Sequence, residues 1–215
     1  MISYPYVSLK ALAMGRDFGV LIVKLSDAGM NIATLQLIGF SLGAHVVGET
    51  GRQVIESGKI IPRITGLDPA KPLFDGPIPS PLYKRLERGC ADFVDIIHSN
   101  PKKYGMETAT GTIDFYPNYG ETVQPGCPEG NFMPFTPEEL CSHDRSRELM
   151  IQALFTPYDL QASAAPNYPT WVRNNGAPIN VTTIGDLINK AFSGLYYLTT
   201  NAQVPYGKGP EGLKP

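Results

Sequence analysis

Little in this chain is charged in excess, and little is apolar at length. Its 18 basic and 20 acidic residues leave a net charge of −2. The Lys and Arg residues are dispersed, so there is no electrostatic footprint for nucleic acid. The small cluster Lys84, Arg85 and Arg88 reads as a solvated face, not a phosphate site. No apolar run approaches the length of a membrane span, so no helical transmembrane segment is expected. The opening residues, Met1-Ile2-Ser3-Tyr4-Pro5-Tyr6-Val7, have neither the charged region nor the apolar core of a secretion signal. Internal repeats and low-complexity tracts are missing too. Three cysteines leave one over, which in a secreted protein points to a missing or external partner. With only three histidines, the candidates for a general base are few.

What is present suits one α/β core. A 42% hydrophobic content over 215 residues can fill it, and the 20 prolines and 22 glycines are spread through the connections. The most informative stretch is Gly39-Phe40-Ser41-Leu42-Gly43. The apolar run before it, Leu35-Gln36-Leu37-Ile38, suits a buried parallel strand. The run after it continues as a helix to about Ser57. A strand that turns sharply into a helix crowds its corner residue, and Gly39 and Gly43 flank Ser41 where side chains are expected to collide with the turn. Such a corner holds a hydroxyl above the sheet, at a helix N-terminus whose N–H groups face a reacting carbonyl.

Acyl transfer on such an elbow needs an acid and then a histidine further along the chain. His45 lies one turn into the helix and is expected to pack locally. His98 ends the apolar run Phe93-Val94-Asp95-Ile96-Ile97, and His143 lies in the polar run Cys141-Ser142-His143-Asp144-Arg145-Ser146, read as a loop. For the acid, Asp68 closes the short strand Ile61-Pro62-Arg63-Ile64-Thr65-Gly66-Leu67, on the edge expected for Ser41. Asp95 and Asp114 are rivals, although the mid-strand position of Asp95 favours a structural role. On the residues alone His143 ranks only slightly above His98.

Several ordered segments then converge. Ile38-Gly39-Phe40-Ser41-Leu42-Gly43-Ala44-His45 resembles the nucleophile elbow of the pancreatic-type (neutral) animal lipases. Ile64-Thr65-Gly66-Leu67-Asp68-Pro69-Ala70 is similar to their acid segment, and Asp92-Phe93-Val94-Asp95-Ile96-Ile97-His98 to their next strand. Gly111-Thr112-Ile113-Asp114-Phe115-Tyr116-Pro117-Asn118, Gln124-Pro125-Gly126-Cys127, the His143 run and Tyr197-Leu198-Thr199-Thr200-Asn201 follow in the family's order. The resemblance implies an α/β-hydrolase fold, mainly a parallel sheet with flanking helices. It implies Ser41 as nucleophile, Asp68 as acid, His143 as general base and the Leu42 N–H as an oxyanion donor. It also implies a secreted serine carboxyl-ester hydrolase that meets triacylglycerol or phospholipid at an interface, without a cofactor. The other reading is a lipid-binding or yolk-type storage relative, but those commonly lose the nucleophile that is present here.

The resemblance also frames the departures. The family carries strands before the segment matched by residues 18–25, including the loop with the second oxyanion donor. This chain is therefore expected to be a partial lipase domain over 1–209, lacking its N-terminal strands, with a disordered tail over 210–215. Its nucleophile strand is expected to form an open sheet edge. Cys127 and Cys141 align with the pair that staples the family's lid, and Cys90 is left over. Residues 128–140 suit a flap that presents Phe132, Met133 and Phe135 to lipid, or equally a loop whose aromatics fold down. The short flap goes with sn-1 phospholipases and insect-type lipases. Glu87 and Cys90 stand where the family's calcium stretch has aspartates, which argues against a metal. Too few residues follow His143 for a lipid-docking β-sandwich, so no colipase partner is expected. Trp171 is expected to anchor the loop-rich stretch 157–178, and Asn180-Val181-Thr182 is a glycosylation sequon.

Overall fold

The computed structural model describes residues 3–76, 81–119, 121, 123–175 and 177–215. The chain forms two compact units, one comprising residues 1–96 and 101–112 and the other residues 97–100 and 113–215. Mostly parallel strands flanked by helices make this an α/β architecture. No helix among the described residues is long and apolar enough to cross a membrane.

The first unit opens with α1 (Tyr4–Asp27), followed by β1 (Gln36–Phe40), α2 (Leu42–Glu56), β2 (Arg63–Leu67) and all but the last residue of β3 (Val94–Ile97). Pro5 in the first turn suits a helix start, because an N–H there has no intrahelical partner. Thus α1 begins well ahead of residues 18–25, where the family resemblance starts, and runs through them. It lies against α2 through Gly15 and Gly19, where a side chain has no room. A methyl group on Gly15 would sit 2.5 Å from the Val46 carbonyl oxygen. That close approach lets Thr50 Oγ1 donate to the Gly15 carbonyl at 2.9 Å. Ala44, Val54, Ile64, Leu86 and Ile96 form the core under β2 and α2.

Strand order in this unit is β1-β2-β3, with β1 and β2 parallel and Gln36 opposite Arg63. Every residue of β2 and β3 is buried. Among the described residues β1 pairs on one side only, and Ile38 on it is 44% exposed. The open edge expected for the nucleophile strand is there.

The second unit contains β4 (Ile113–Pro117), α3 (Pro137–Phe155), β5 (Gln161–Ala164), α4 (Tyr168–Asn174), β6 (Thr182–Thr183) and β7 (Gly194–Leu198). β4 and β7 are parallel, β7 pairs antiparallel with β5, and β5 antiparallel with β6. Aromatic rings fill its core: Tyr116, Trp171 and Tyr197 pack together, and Trp171 Nε1 donates to Ser163 Oγ at 2.9 Å. Trp171 is thus the anchor that the sequence suggested, although β5 and α4 give its neighbourhood more regular structure than a loop.

Two segments depart from the sequence expectation. The run from Cys141 to Ser146 is not a loop but part of α3, which starts at Pro137 with Glu138 and Glu139 in its first turn. Proline at the start and carboxylates near the positive end of the dipole both favour nucleation at that point. The tail over 210–215 is not disordered. Gly209–Leu213 forms a 3-10 turn, Leu213 is buried, and the Thr199 N–H donates to the Gly212 carbonyl at 2.8 Å. The Gly209 N–H also donates to the Asp159 carbonyl at 2.8 Å and Thr199 Oγ1 to the Lys214 carbonyl at 3.0 Å, so several bonds hold a Gly- and Pro-rich end that composition alone reads as loose.

Candidate active site

Ser41 sits between β1 and α2 with φ 53° and ψ −122°. A non-glycine residue there is strained, typically by about 1–3 kcal/mol, and persists only where its surroundings fix it. They do. The Ser41 N–H donates to the Leu67 carbonyl at 2.9 Å, and its carbonyl accepts from Ala44 N at 3.1 Å and Ala70 N at 3.2 Å. Leu42 is the first residue of α2, so its N–H has no carbonyl one turn back to bond.

The two glycines around Ser41 have different roles. A Cβ on Gly39 would run into the Gly43 carbonyl, so the elbow closes only because Gly39 is bare. A Cβ on Gly43 would meet nothing within 4 Å. The expectation that a side chain at Gly43 would collide is therefore wrong: the backbone at Gly43 is the object approached.

Asp68 follows β2 as Ser41 follows β1. The register pairs Phe40 with Leu67, so the two residues leave neighbouring parallel strands side by side at their C-terminal ends. Asp68 is fully buried and also has positive φ, at 41°. Sequence reasoning missed what stands opposite it. The 104–106 segment runs against 69–71, with Lys71 N donating to the Tyr104 carbonyl and Met106 N to the Pro69 carbonyl, each at 2.8 Å. This brings Gly105 so close that a side chain there would overlap the Asp68 carboxylate.

His45 packs behind this corner. It is fully buried, stacks on Phe74 at 3.7 Å between ring centres, and accepts from the Leu86 N–H through Nδ1 at 3.1 Å. The proton must then lie on Nε2, which donates to the Ala70 carbonyl at 2.8 Å. Burial drives its pKa down to about 3. It is the locally packed histidine expected from its place on α2.

The rival acids are engaged structurally. Asp95 receives Arg63 through both carboxylate oxygens, at 2.8 and 2.9 Å, and Thr65 Oγ1 at 2.9 Å. Asp114 Oδ1 lies 2.8 Å from His98 Nε2, and the His98 ring stacks on Tyr116.

His143 belongs to the second unit, whereas Ser41 and Asp68 belong to the first. It is buried on α3. Its carbonyl accepts from Ser99 Oγ at 3.2 Å and Ser146 Oγ at 3.1 Å. Ser142 Oγ accepts from the Gln124 N–H at 2.9 Å, and Gln124 Nε2 donates to the carbonyls of Ser99 and Pro117. Asn118 ties Gln124 to Thr200 by bonds of 2.8 Å to each. This buried network sets the start of the histidine segment, and none of it is legible as a local pattern. Cys127 and Cys141 form a disulfide two residues before His143. In the segment that it closes, Phe132 is half-buried, while Met133 and Phe135 are 76% and 74% exposed.

Cys90 is a buried free thiol, and burial raises its pKa. Beside it, Arg52 donates to the Arg85 carbonyl through Nη1 and Nη2 at 3.0 and 3.1 Å, and its Nη1 lies 2.8 Å from Cys90 Sγ. Arg52 Nε also meets Glu49 at 2.9 Å. A fixed positive charge and a thiol do not fit a calcium ion, which requires hard oxygen ligands.

Comparison with known proteins adds the lineage. The sequence profile of the family described as Lipase matches residues 2–206. The chain is 41% identical over 140 residues to lipase member H of Xenopus tropicalis, covering 65% of this chain and 29% of that protein. It is 38% identical over 168 residues to lipase member H of Rattus norvegicus, covering 77% and 35%. With pancreatic triacylglycerol lipase of Myocastor coypus it shares 34% identity over 169 residues, covering 71% and 35%. The matched part thus spans about a third of the length of these relatives.

Proposed function

This chain belongs to the pancreatic-type lipase family, with its α/β-hydrolase fold, and on that premise we propose that it is a lipid carboxyl-ester hydrolase with Ser41, Asp68 and His143 as its triad. The observation that carries the proposal is the strained Ser41 elbow, held in register beside the buried Asp68 at the ends of two parallel strands. In the reaction, Ser41 Oγ attacks the ester carbonyl while the His143 imidazole takes its proton. The carbonyl oxygen gains negative charge, which the Leu42 N–H stabilises. Collapse of the tetrahedral intermediate breaks the ester C–O bond, and the imidazolium returns the proton to the departing alcohol. Water then repeats the sequence on the acyl-serine and releases the fatty acid. Asp68 fixes the imidazole tautomer and stabilises its charged form.

The substrate class is acylglycerol or glycerophospholipid, met at an interface outside the cell. Met133 and Phe135 on the disulfide-closed flap supply exposed apolar surface for that contact. The short flap leaves room for a phospholipid headgroup at the sn-1 ester.

A fluorophosphonate probe tests the proposal, applied to this chain, to Ser41→Ala and to a version extended upstream. The expected result is labelling that is lost in Ser41→Ala and strongly slowed in His143→Ala. Labelling confined to the extended version keeps the triad and assigns its completion to upstream residues. No labelling of either version removes the hydrolase reading and leaves a lipid-binding relative.

A further inference from the structure

The stretch between α4 and β6 carries chemistry that ester hydrolysis does not use. Asn180-Val181-Thr182 is the only Asn-x-Ser/Thr sequence in the chain. Asn180 is exposed, in a bend with φ 48°, a left-handed conformation that asparagine tolerates better than most residues. Its neighbours Ile179 and Val181 are 53% and 38% exposed, so an attached group has open solvent before it. Among the described residues, the Asn180 side chain has no hydrogen-bond partner to lose.

We infer that Asn180 is the acceptor of an N-linked oligosaccharide, attached before β6 closes onto β5. The inference rests on the extracellular setting proposed above, because the modification occurs on entry to the secretory path. In the transfer, Asn180 Nδ2 forms a bond to the anomeric carbon of the first sugar of a polyprenyl-diphosphate-linked oligosaccharide. The bond from that carbon to the diphosphate breaks, the diphosphate leaves with the electron pair, and the amide gives up one proton. Nothing is oxidised or reduced.

The order of events follows from Thr182. Recognition of the sequon reads its hydroxyl, yet in the folded protein Thr182 is only 4% exposed. Its Oγ1 accepts from the Asn189 N–H at 2.8 Å, and its backbone sits in the β5–β6 ladder opposite Ala162. Asn180 remains outside while the residue that licenses its modification is drawn in. The acceptor is therefore competent in the unfolded chain and closed in the native one.

The test is translation of the full chain, behind a cleavable secretion signal, into microsomes. Signal cleavage reports entry independently of any glycan. The expected result is a single upward mobility shift, removed by peptide N-glycosidase, lost in Asn180→Gln and kept in Thr182→Ser. A cleaved chain without the shift overturns the site. For the order of events, purified native chain and reduced, denatured chain are each given oligosaccharyltransferase and the lipid-linked donor. Modification of the denatured chain alone is expected, and equal modification of both overturns the ordering. The readout does not involve ester cleavage. A chain that is glycosylated while neither it nor the upstream-extended version reacts with fluorophosphonate leaves this site standing and removes the hydrolase reading.

Discussion

At Ser41 a few atoms decide whether the corner can exist. Only one of its flanking glycines faces a steric wall, so the two should respond differently to the same methyl group. Gly39→Ala pushes into the Gly43 carbonyl and should destabilise by about 1–3 kcal/mol, the usual range for overpacking. Gly43→Ala enters open space in the first turn of α2 and should stay within about 0.5 kcal/mol of the parent. Urea denaturation of the two variants separates them, and equal losses would contradict the approach described. His45 makes a second prediction at this scale. Its folded pKa, near 3, lies below the ordinary 6.5, so the unfolded chain takes up the proton first. The stability tied to the neutral ring is complete above pH 6.5 and is lost as the pH falls toward 3. The slope is at most roughly 1.4 kcal/mol per pH unit. His45→Gln, which keeps a donor and an acceptor, should lose that component in denaturation curves recorded across the window.

Between the elements, the disulfide closes a loop of sequence separation 14 ahead of His143. Cross-linking a loop of that size stabilises by about 3 kcal/mol in the chain-entropy model. The double variant Cys127→Ser, Cys141→Ser should fall by a similar amount in denaturant, with Cys90 still reduced and buried. This scale also shows where the sequence was readable. β1, the elbow and α2 were legible because strand, turn and helix signals lie in one continuous stretch. Residues 141–146 read as a loop because Ser, His, Asp and Arg suggest one, whereas Pro137 and the acidic first turn had already started a helix. His143 became prominent through family likeness, not through any local signal. Gly105 and the Gln124–Asn118–Thr200 network were invisible, since their roles exist only once distant segments meet.

For the molecule as a whole, the exposed apolar surface on the first unit should favour self-association. The open edge of β1 carries Ile38, and α1 leaves Phe18, Leu21 and Leu25 between 44% and 50% exposed. An unpaired apolar strand is a template for another chain, and a lysine on the edge blunts it. Ile38→Lys should lower the aggregated fraction measured by light scattering while leaving thermal stability nearly unchanged. Arg52 matters at the same scale. It gathers the Arg85 carbonyl, Cys90 and Glu49 around a charge built into the polypeptide. Chelator should leave the melting temperature unchanged, and Arg52→Met should lower it even in excess calcium. The charge at the centre of such a clasp arrives with the polypeptide itself, so no change in ion concentration can load it or strip it.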